Sequence, residues 1–190
     1  MLADKAADKQ AAALKKVHKA LTDGGVIGDV LPELWLPLIT IDGKFPAGKK
    51  VVPGKEIPLA ATLSLPTLSL SPLPNPTAYH TVLITDPDVP SRADPSLGER
   101  RYLCVSNIPG EALATGDLTK GEWLQDWEAP TPESGSGLHR FVVVVYEQPG
   151  SEKIEMSVFE KSRDQFGSYK WAEGFGMRAI GANFWQAQEK

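Results

Sequence analysis

The stretch "RFVVVVYEQ", residues 140–148, constrains this fold more than any other part of the chain. β-Branched side chains are stiff against a helical backbone and pack well on a pleated surface, so the run reads as a strand. It is nearly continuous apolar from Phe141 to Tyr146, as expected of a strand deep in a sheet core. "AYHTVLITD" (78–86) and "RYLCVSNI" (101–108) share its β-branched and aromatic character. Long proline-rich loops, such as "PAGKKVVPGKEIPL" (46–59), separate the strands. Short strands joined in this way predict a mainly β fold, a sandwich of two packed antiparallel sheets.

Helix is expected at two places. Residues 3–22 are rich in Ala, Lys, Leu and Gln, with Leu14, Val17 and Leu21 at helical spacing and Gly24–Gly25 as a stop. Such a helix either docks on the body or is offered to a partner as a mobile arm. "DQFGSYKWAEGFGM" (164–177) predicts a short helix ending at Gly176, followed by a last strand in "RAIGANFWQAQ" (178–188). "AATLSLPTLSLSP" (60–72) alternates Leu with Ser or Thr, the pattern of a half-exposed strand interrupted at Pro66. The expected organisation is an N-terminal helical arm over residues 1–25 and one sandwich domain over 26–190.

A formal charge of −4 and pI near 5.4 argue against a nucleic-acid platform or a polybasic membrane anchor. No apolar run is long enough for a membrane span, and the first residues lack the apolar core of a secretory signal. Cys104 is the only cysteine, which excludes an intramolecular disulfide and predicts a reducing, cytoplasmic setting. Its strand-like flanks mark it as a small buried hydrophobe.

"TDPDVPSR" (85–92) places Asp86 and Asp88 two positions apart. A calcium loop started at Asp86 would need glycine at its sixth position and glutamate at its twelfth, where Ser91 and Leu97 stand. His18, His80 and His139 are scattered, so no zinc site is expected. "ESGSGLHR" brings Ser134 and Ser136 near His139, but neither serine has glycine both two residues before and two residues after it, as a nucleophile elbow requires. No glycine-rich turn links a strand to a helix as a phosphate loop would. What remains is a pocket of Asp86, His139 and aromatics. Strand alternation would put Tyr102 and Cys104 on one face, and His139 and Phe141 on another. An imidazole paired with a carboxylate can be cationic near neutral pH and, beside the backbone of "GSG", would suit a small anion. A buried histidine bonded to a turn carboxylate is the plainer alternative.

"TDPDVPSRADP", "SNIPG" and "GSGLHRFVVVVYEQ", in that order and spacing, resemble the phosphatidylethanolamine-binding protein family, which includes Raf kinase inhibitor proteins and plant flowering regulators. The likeness runs from about residue 28 to the closing "IGANFWQAQEK", and the chain's start and "GSGLHR" form are most similar to the family's fungal branch, which includes a carboxypeptidase inhibitor. The resemblance implies a β-sandwich whose pocket takes phosphate-like anions or phospholipid headgroups. By motif position, Asp86 and His139 match the pocket pair, and Asp88, Pro90, Ser91 and Arg92 match its supporting turn, with Val89–Pro90 cis. Asp88 is then expected to tie down the turn by accepting backbone N–H groups.

The pocket departs from the family pattern opposite those aspartates. Tyr102 stands where the family has a histidine, Arg100 and Leu97 replace aromatics, Phe141 replaces a tyrosine, and Glu133 replaces a proline. Trp185 aligns with the C-terminal pocket aromatic. Tyr102 still offers a hydroxyl, whereas Glu133, if turned inward, would repel an anion. The reading implied is a cytoplasmic, non-enzymatic binding protein without cofactor or metal. It has an altered pocket and a protein partner such as a serine carboxypeptidase or signalling kinase. A carrier of a phospholipid headgroup or small anion, and a hydrolase built on Ser136 and His139, are the other classes considered.

Overall fold

The structure, a computed structural model, describes residues 2–155 and 162–190. The helix expected at the start is α1 (Leu2–Asp23), followed by α2 (Val26–Asp29), a short turn kinked at Ile27 and Gly28. β1 (Ile41–Lys44), β2 (Lys50–Val51) and β3 (Thr67–Leu70) form a small antiparallel sheet in the order β2-β1-β3. β4 (Tyr79–Asp86), β5 (Arg100–Pro109), β6 (Glu122–Gln125), β7 (His139–Glu147) and β8 (Arg178–Ala187) form the large one, ordered β6-β5-β4-β7-β8. α3 (Gly110–Ala114) follows β5, and α4 (Ser168–Gly174) precedes β8 at the helix predicted there. The two antiparallel sheets are as the sequence predicts. The strand expected over residues 60–72 is only half present: residues 59–61 make a 3-10 turn and pairing begins at Thr67, because the proline at 66 supplies no N–H to a ladder.

Both faces of the large sheet are buried, which accounts for the unbroken apolar run in β7. Phe141, Val143 and Val145 point into the inter-sheet core with Ile41 and Leu68 of the small sheet and Phe45 just after β1. Val142, Val144 and Tyr146 point the other way, to a second core closed by Leu21 of α1, Val26, Trp35 and Ala172 of α4. The sandwich therefore carries a third, mainly helical layer. α1 joins that layer through its last turns, where Leu21 is buried and Val17 packs beside it, while Gln10 Nε2 donates to Ser71 Oγ at 3.0 Å. Gly24 lets the helix end close over the sheet, since a Cβ there would lie 2.4 Å from the Phe184 ring. β8, an edge strand, is covered by backbone N–H groups of Leu38 and Ile39 bonding Ile180 O and of Gly54 bonding Phe184 O.

Candidate functional site

Asp86 is the last residue of β4 and is fully buried. Its Oδ2 lies 2.7 Å from His139 Nδ1, and its Oδ1 accepts the Asp88 N–H at 2.8 Å. His139 Nε2 lies 3.0 Å from Ser136 Oγ, which donates its own proton to the Glu133 carbonyl at 2.6 Å. The direction of this relay follows from counting protons. Ser136 has one hydroxyl proton and directs it at a carbonyl that can only accept, so His139 Nε2 must be the donor to Ser136. Burial pushes the Asp86 carboxyl above its ordinary value, while its bonds to His139 and Asp88 N–H pull the other way. Paired with Asp86 as a carboxylate, Nδ1 carries the second proton and the ring is an imidazolium. The energetics point the same way: burial lowers the imidazole pKa, but the hydrogen bond and charge of Asp86 outweigh it and hold His139 above its ordinary value.

The other predicted pocket residues form an aromatic wall beside this relay. Phe141 stacks on Trp185 with centroids 5.4 Å apart and 20° between planes, and Tyr102 meets Phe141 edge-on, also at 5.4 Å. Trp127, which the sequence reading did not single out, tilts against Tyr102 and donates Nε1–H to Leu63 O. Tyr102 does not share a face with Cys104, as alternation predicts. Ile84 pairs with Leu103 and Thr85 with Arg101, so Tyr102 is the extra residue of a β-bulge. The bulge turns Tyr102 and Leu103 together into the inter-sheet core and leaves Cys104 on the helical side, where burial pushes its thiol up to about 12. Arg100 is ion-paired on both sides of its guanidinium. Its fork holds Asp164 and Glu128 at 2.6 Å each, Arg163 Nε adds a second contact to Glu128 at 2.8 Å, and the Arg100 guanidinium lies 5.8 Å from the Tyr102 ring centre. Glu133 contributes its carbonyl to the relay, but its side chain is exposed rather than turned inward. Leu97 is exposed as well.

Asp88 accepts a backbone N–H as expected, but from β7 rather than from the turn. The turn is tied by Asp86, while Asp88 reaches across to Arg140 on the face of β7 opposite His139. Asp88 Oδ2 accepts the Arg140 backbone N–H at 2.9 Å and Nε at 2.8 Å, and Oδ1 accepts Nη2 at 2.6 Å. Arg140 Nη1 then donates to Gly24 O at 3.0 Å, at the end of α1. Arg92 also leaves the turn, donating Nη2 to the same carbonyl at 2.9 Å. Ser91 stays local, its Oγ accepting the Asp94 N–H, and Val89–Pro90 is cis. The two aspartates thus serve opposite faces of one strand. Among the described residues no group of three or more His, Cys, Asp or Glu could hold a metal, and no helix is long and apolar enough to cross a membrane.

Two histidines give the fold a readable pH profile. His139, held above its ordinary value, contributes stability that is complete below about pH 6.5 and lost as pH rises through its folded pKa. His80 is buried and burial lowers its pKa, with the charge of Glu147 opposite and the Ala78 backbone offsetting only part. Its contribution is complete above about pH 6.5 and is lost as pH falls below that, because the unfolded chain takes up the proton first. Thermal denaturation between about pH 5 and 9 should therefore show a maximum near 6.5. Asp86→Asn should flatten the alkaline limb and His80→Leu the acid limb. A profile unchanged by both substitutions would refute the assignment.

Residues 46–185 match the family model described as phosphatidylethanolamine-binding protein. Protein TERMINAL FLOWER 1 of Arabidopsis thaliana is 31% identical over 176 residues, covering 92% of this chain and 93% of its own length. Among solved structures, carboxypeptidase Y inhibitor complexed with its cognate proteinase superposes with a TM-score of 0.79 over 98% of this chain and 100% of that one, at 21% identity. A phosphatidylethanolamine-binding protein from Plasmodium vivax gives the same TM-score at 25% identity, over 90% of this chain and 97% of its own. This chain belongs to the phosphatidylethanolamine-binding protein family.

Proposed function

We propose that this protein is a non-enzymatic, cytoplasmic regulator that binds another protein, a serine carboxypeptidase or a signalling kinase, and that its anion pocket is altered from the family's usual form. The observation that carries this is the self-satisfied site. Both N–H groups of His139 are spent on Asp86 and Ser136, Tyr102 and Phe141 are packed against the relay, and Arg100 is committed to Glu128 and Asp164. A phosphate arriving there would have to break internal charge-assisted bonds before making its own. A protein partner is supported by the neighbour whose title describes an inhibitor complexed with its proteinase, and a fungal placement would suit the same analogy. In this reading α1 is the inserted element, because residues 5–9 are exposed and its buried anchor lies only near its end. The test is titration of a serine carboxypeptidase with the full chain and with a form lacking residues 1–12, which keeps the Leu21 anchor. Inhibition lost on truncation is expected. No inhibition at micromolar concentration would remove the carboxypeptidase, and equal inhibition by both forms would remove the arm.

One observation favours the carrier reading, namely that His139 is held charged beside the "GSG" backbone. Saturable binding of phosphoethanolamine that His139→Ala abolishes would support it over the regulator. The hydrolase reading has the spacing of a triad in Ser136–His139–Asp86 but the wrong proton order. A nucleophilic serine must give its proton to the imidazole, and here the imidazole donates to the serine. Ser136→Ala should change the turnover of a simple aryl ester by less than about twofold, against the roughly millionfold fall that loss of a working nucleophile produces.

A further inference from the structure

A wide cleft lies on the far face of β7, away from His139. It encloses ≈ 710 Å³ between α2 at Gly28 and Asp29, the turn residues Asp88 and Arg92, Arg140 and Gly167. A second hollow of ≈ 270 Å³ shares Gly28, Asp29 and Gly167 and ends at Lys170, so the two make one groove. Two cations converge on its upper wall. A Cβ placed at Gly25, whose φ is +70°, would lie 3.2 Å from Arg140 Nη1 and 3.3 Å from Arg92 Nη2. Asp88 matches the Arg140 charge from below. Arg92 has no carboxylate within 4.0 Å among the described residues, and its one hydrogen bond is to the Gly24 carbonyl. The anionic group paired with these cations from the groove side is Asp29, whose Oδ2 is 2.7 Å from Arg140 Nη1 and whose side chain is 54% exposed. Glu99 lines the same groove with its carboxylate turned to Ser168 N and Oγ.

Asp29 sits on the kinked α2, next to Gly28 at φ +108°, and no atom lies within 4 Å of where a Cβ on Gly28 would stand. It can therefore swing out of the groove without disturbing a packed neighbour. An oxyanion replacing it would accept from Arg140 Nη1 and from Arg92 N–H groups that bond nothing else, in the forked geometry guanidinium favours. The Gly24 carbonyl would keep its two donors, so α1 need not be released. We propose that Arg92 and Arg140 form a second oxyanion site, for a phosphate or carboxylate group, in which Asp29 is an internal stand-in for the ligand. The site is independent of the protein-partner reading and does not involve the Asp86–His139 pair.

The test is a titration followed by backbone amide shifts, with inorganic phosphate and phenyl phosphate as probes and with the intact protein, Asp29→Asn and Arg92→Ala. Saturable shifts are expected at Gly25 and Gly28, about tenfold tighter in Asp29→Asn, where the competing charge is gone, and absent in Arg92→Ala. Tighter binding of the phenyl ester would identify an esterified phosphate as the preferred source, and equal binding a free oxyanion. The proposal is overturned if Gly25 and Gly28 do not shift in the intact protein or Asp29→Asn up to tens of millimolar. It is equally overturned if shifts are confined to Gly135 and Gly137, or if Asp29→Asn binds more weakly.

Discussion

Replacing Arg140 by alanine should lower the unfolding free energy by about 3–5 kcal/mol, the range for breaking one side of a buried ion pair. For a chain of this size that is a fall in Tm of roughly 2–4 °C per kcal/mol. Asp88 and Arg140 have side-chain exposures of 1% and 3%, and Asp88 takes both Arg140 Nε and Nη2. Without the guanidinium the carboxylate keeps one backbone N–H and is otherwise buried and uncompensated. The damage reaches the N-terminus, because Arg140 also bonds Gly24 O and Asp29. Hydrogen exchange at Leu21, Val26 and Val30 should rise more in Arg140→Ala than in Arg92→Ala, which removes one exposed bond. Because the main cost is a stranded charge, Arg140→Met combined with Asp88→Leu should be less destabilised than Arg140→Ala alone. A loss below about 1 kcal/mol in Arg140→Ala would mean that the pair is not a buried clamp.

That clamp was not legible in the sequence, and the reason is physical. Spacing showed that Asp86 and Asp88 flank a proline at the end of a strand, but not that the chain turns there and sends them to opposite faces of β7. Alternation correctly paired His139 with Phe141, because β7 is regular over that stretch. It misplaced Tyr102 because one inserted residue shifts every later side chain to the other face, and nothing in "RYLCVSN" marks a bulge. Arg100 found Glu128 and Asp164 across 28 and 64 residues of loop, distances at which local pattern carries no information. The strands themselves were legible from the β-branched runs. So, in retrospect, was the helical layer, since a run such as Phe141–Tyr146 with no polar face requires cover on both sides.

Trp185→Ala should cost about 3–5 kcal/mol, the range for deleting a fully buried large aromatic, and Trp185→Phe less than about 1.5. The indole is 0% exposed, stacked on Phe141 and met edge-on by Phe45 with centroids 5.2 Å apart, so truncation to alanine opens a void against Phe141, the ring that stacks on His139. Its Nε1–H has no hydrogen-bond partner among the described residues. A buried donor left unpaired carries a desolvation cost of about 1–3 kcal/mol. Phenylalanine removes that donor while keeping a ring against Phe141, so part of the lost packing is regained. The two substitutions together therefore report whether the site is dry. If Trp185→Phe instead costs as much as Trp185→Ala, the indole N–H is satisfied by solvent or by a bound molecule. The pocket is then open to ligands, and the carrier reading gains over the regulator. A small cost for phenylalanine with a large one for alanine fits an aromatic wall that closes the pocket and leaves binding to the protein's outer surface.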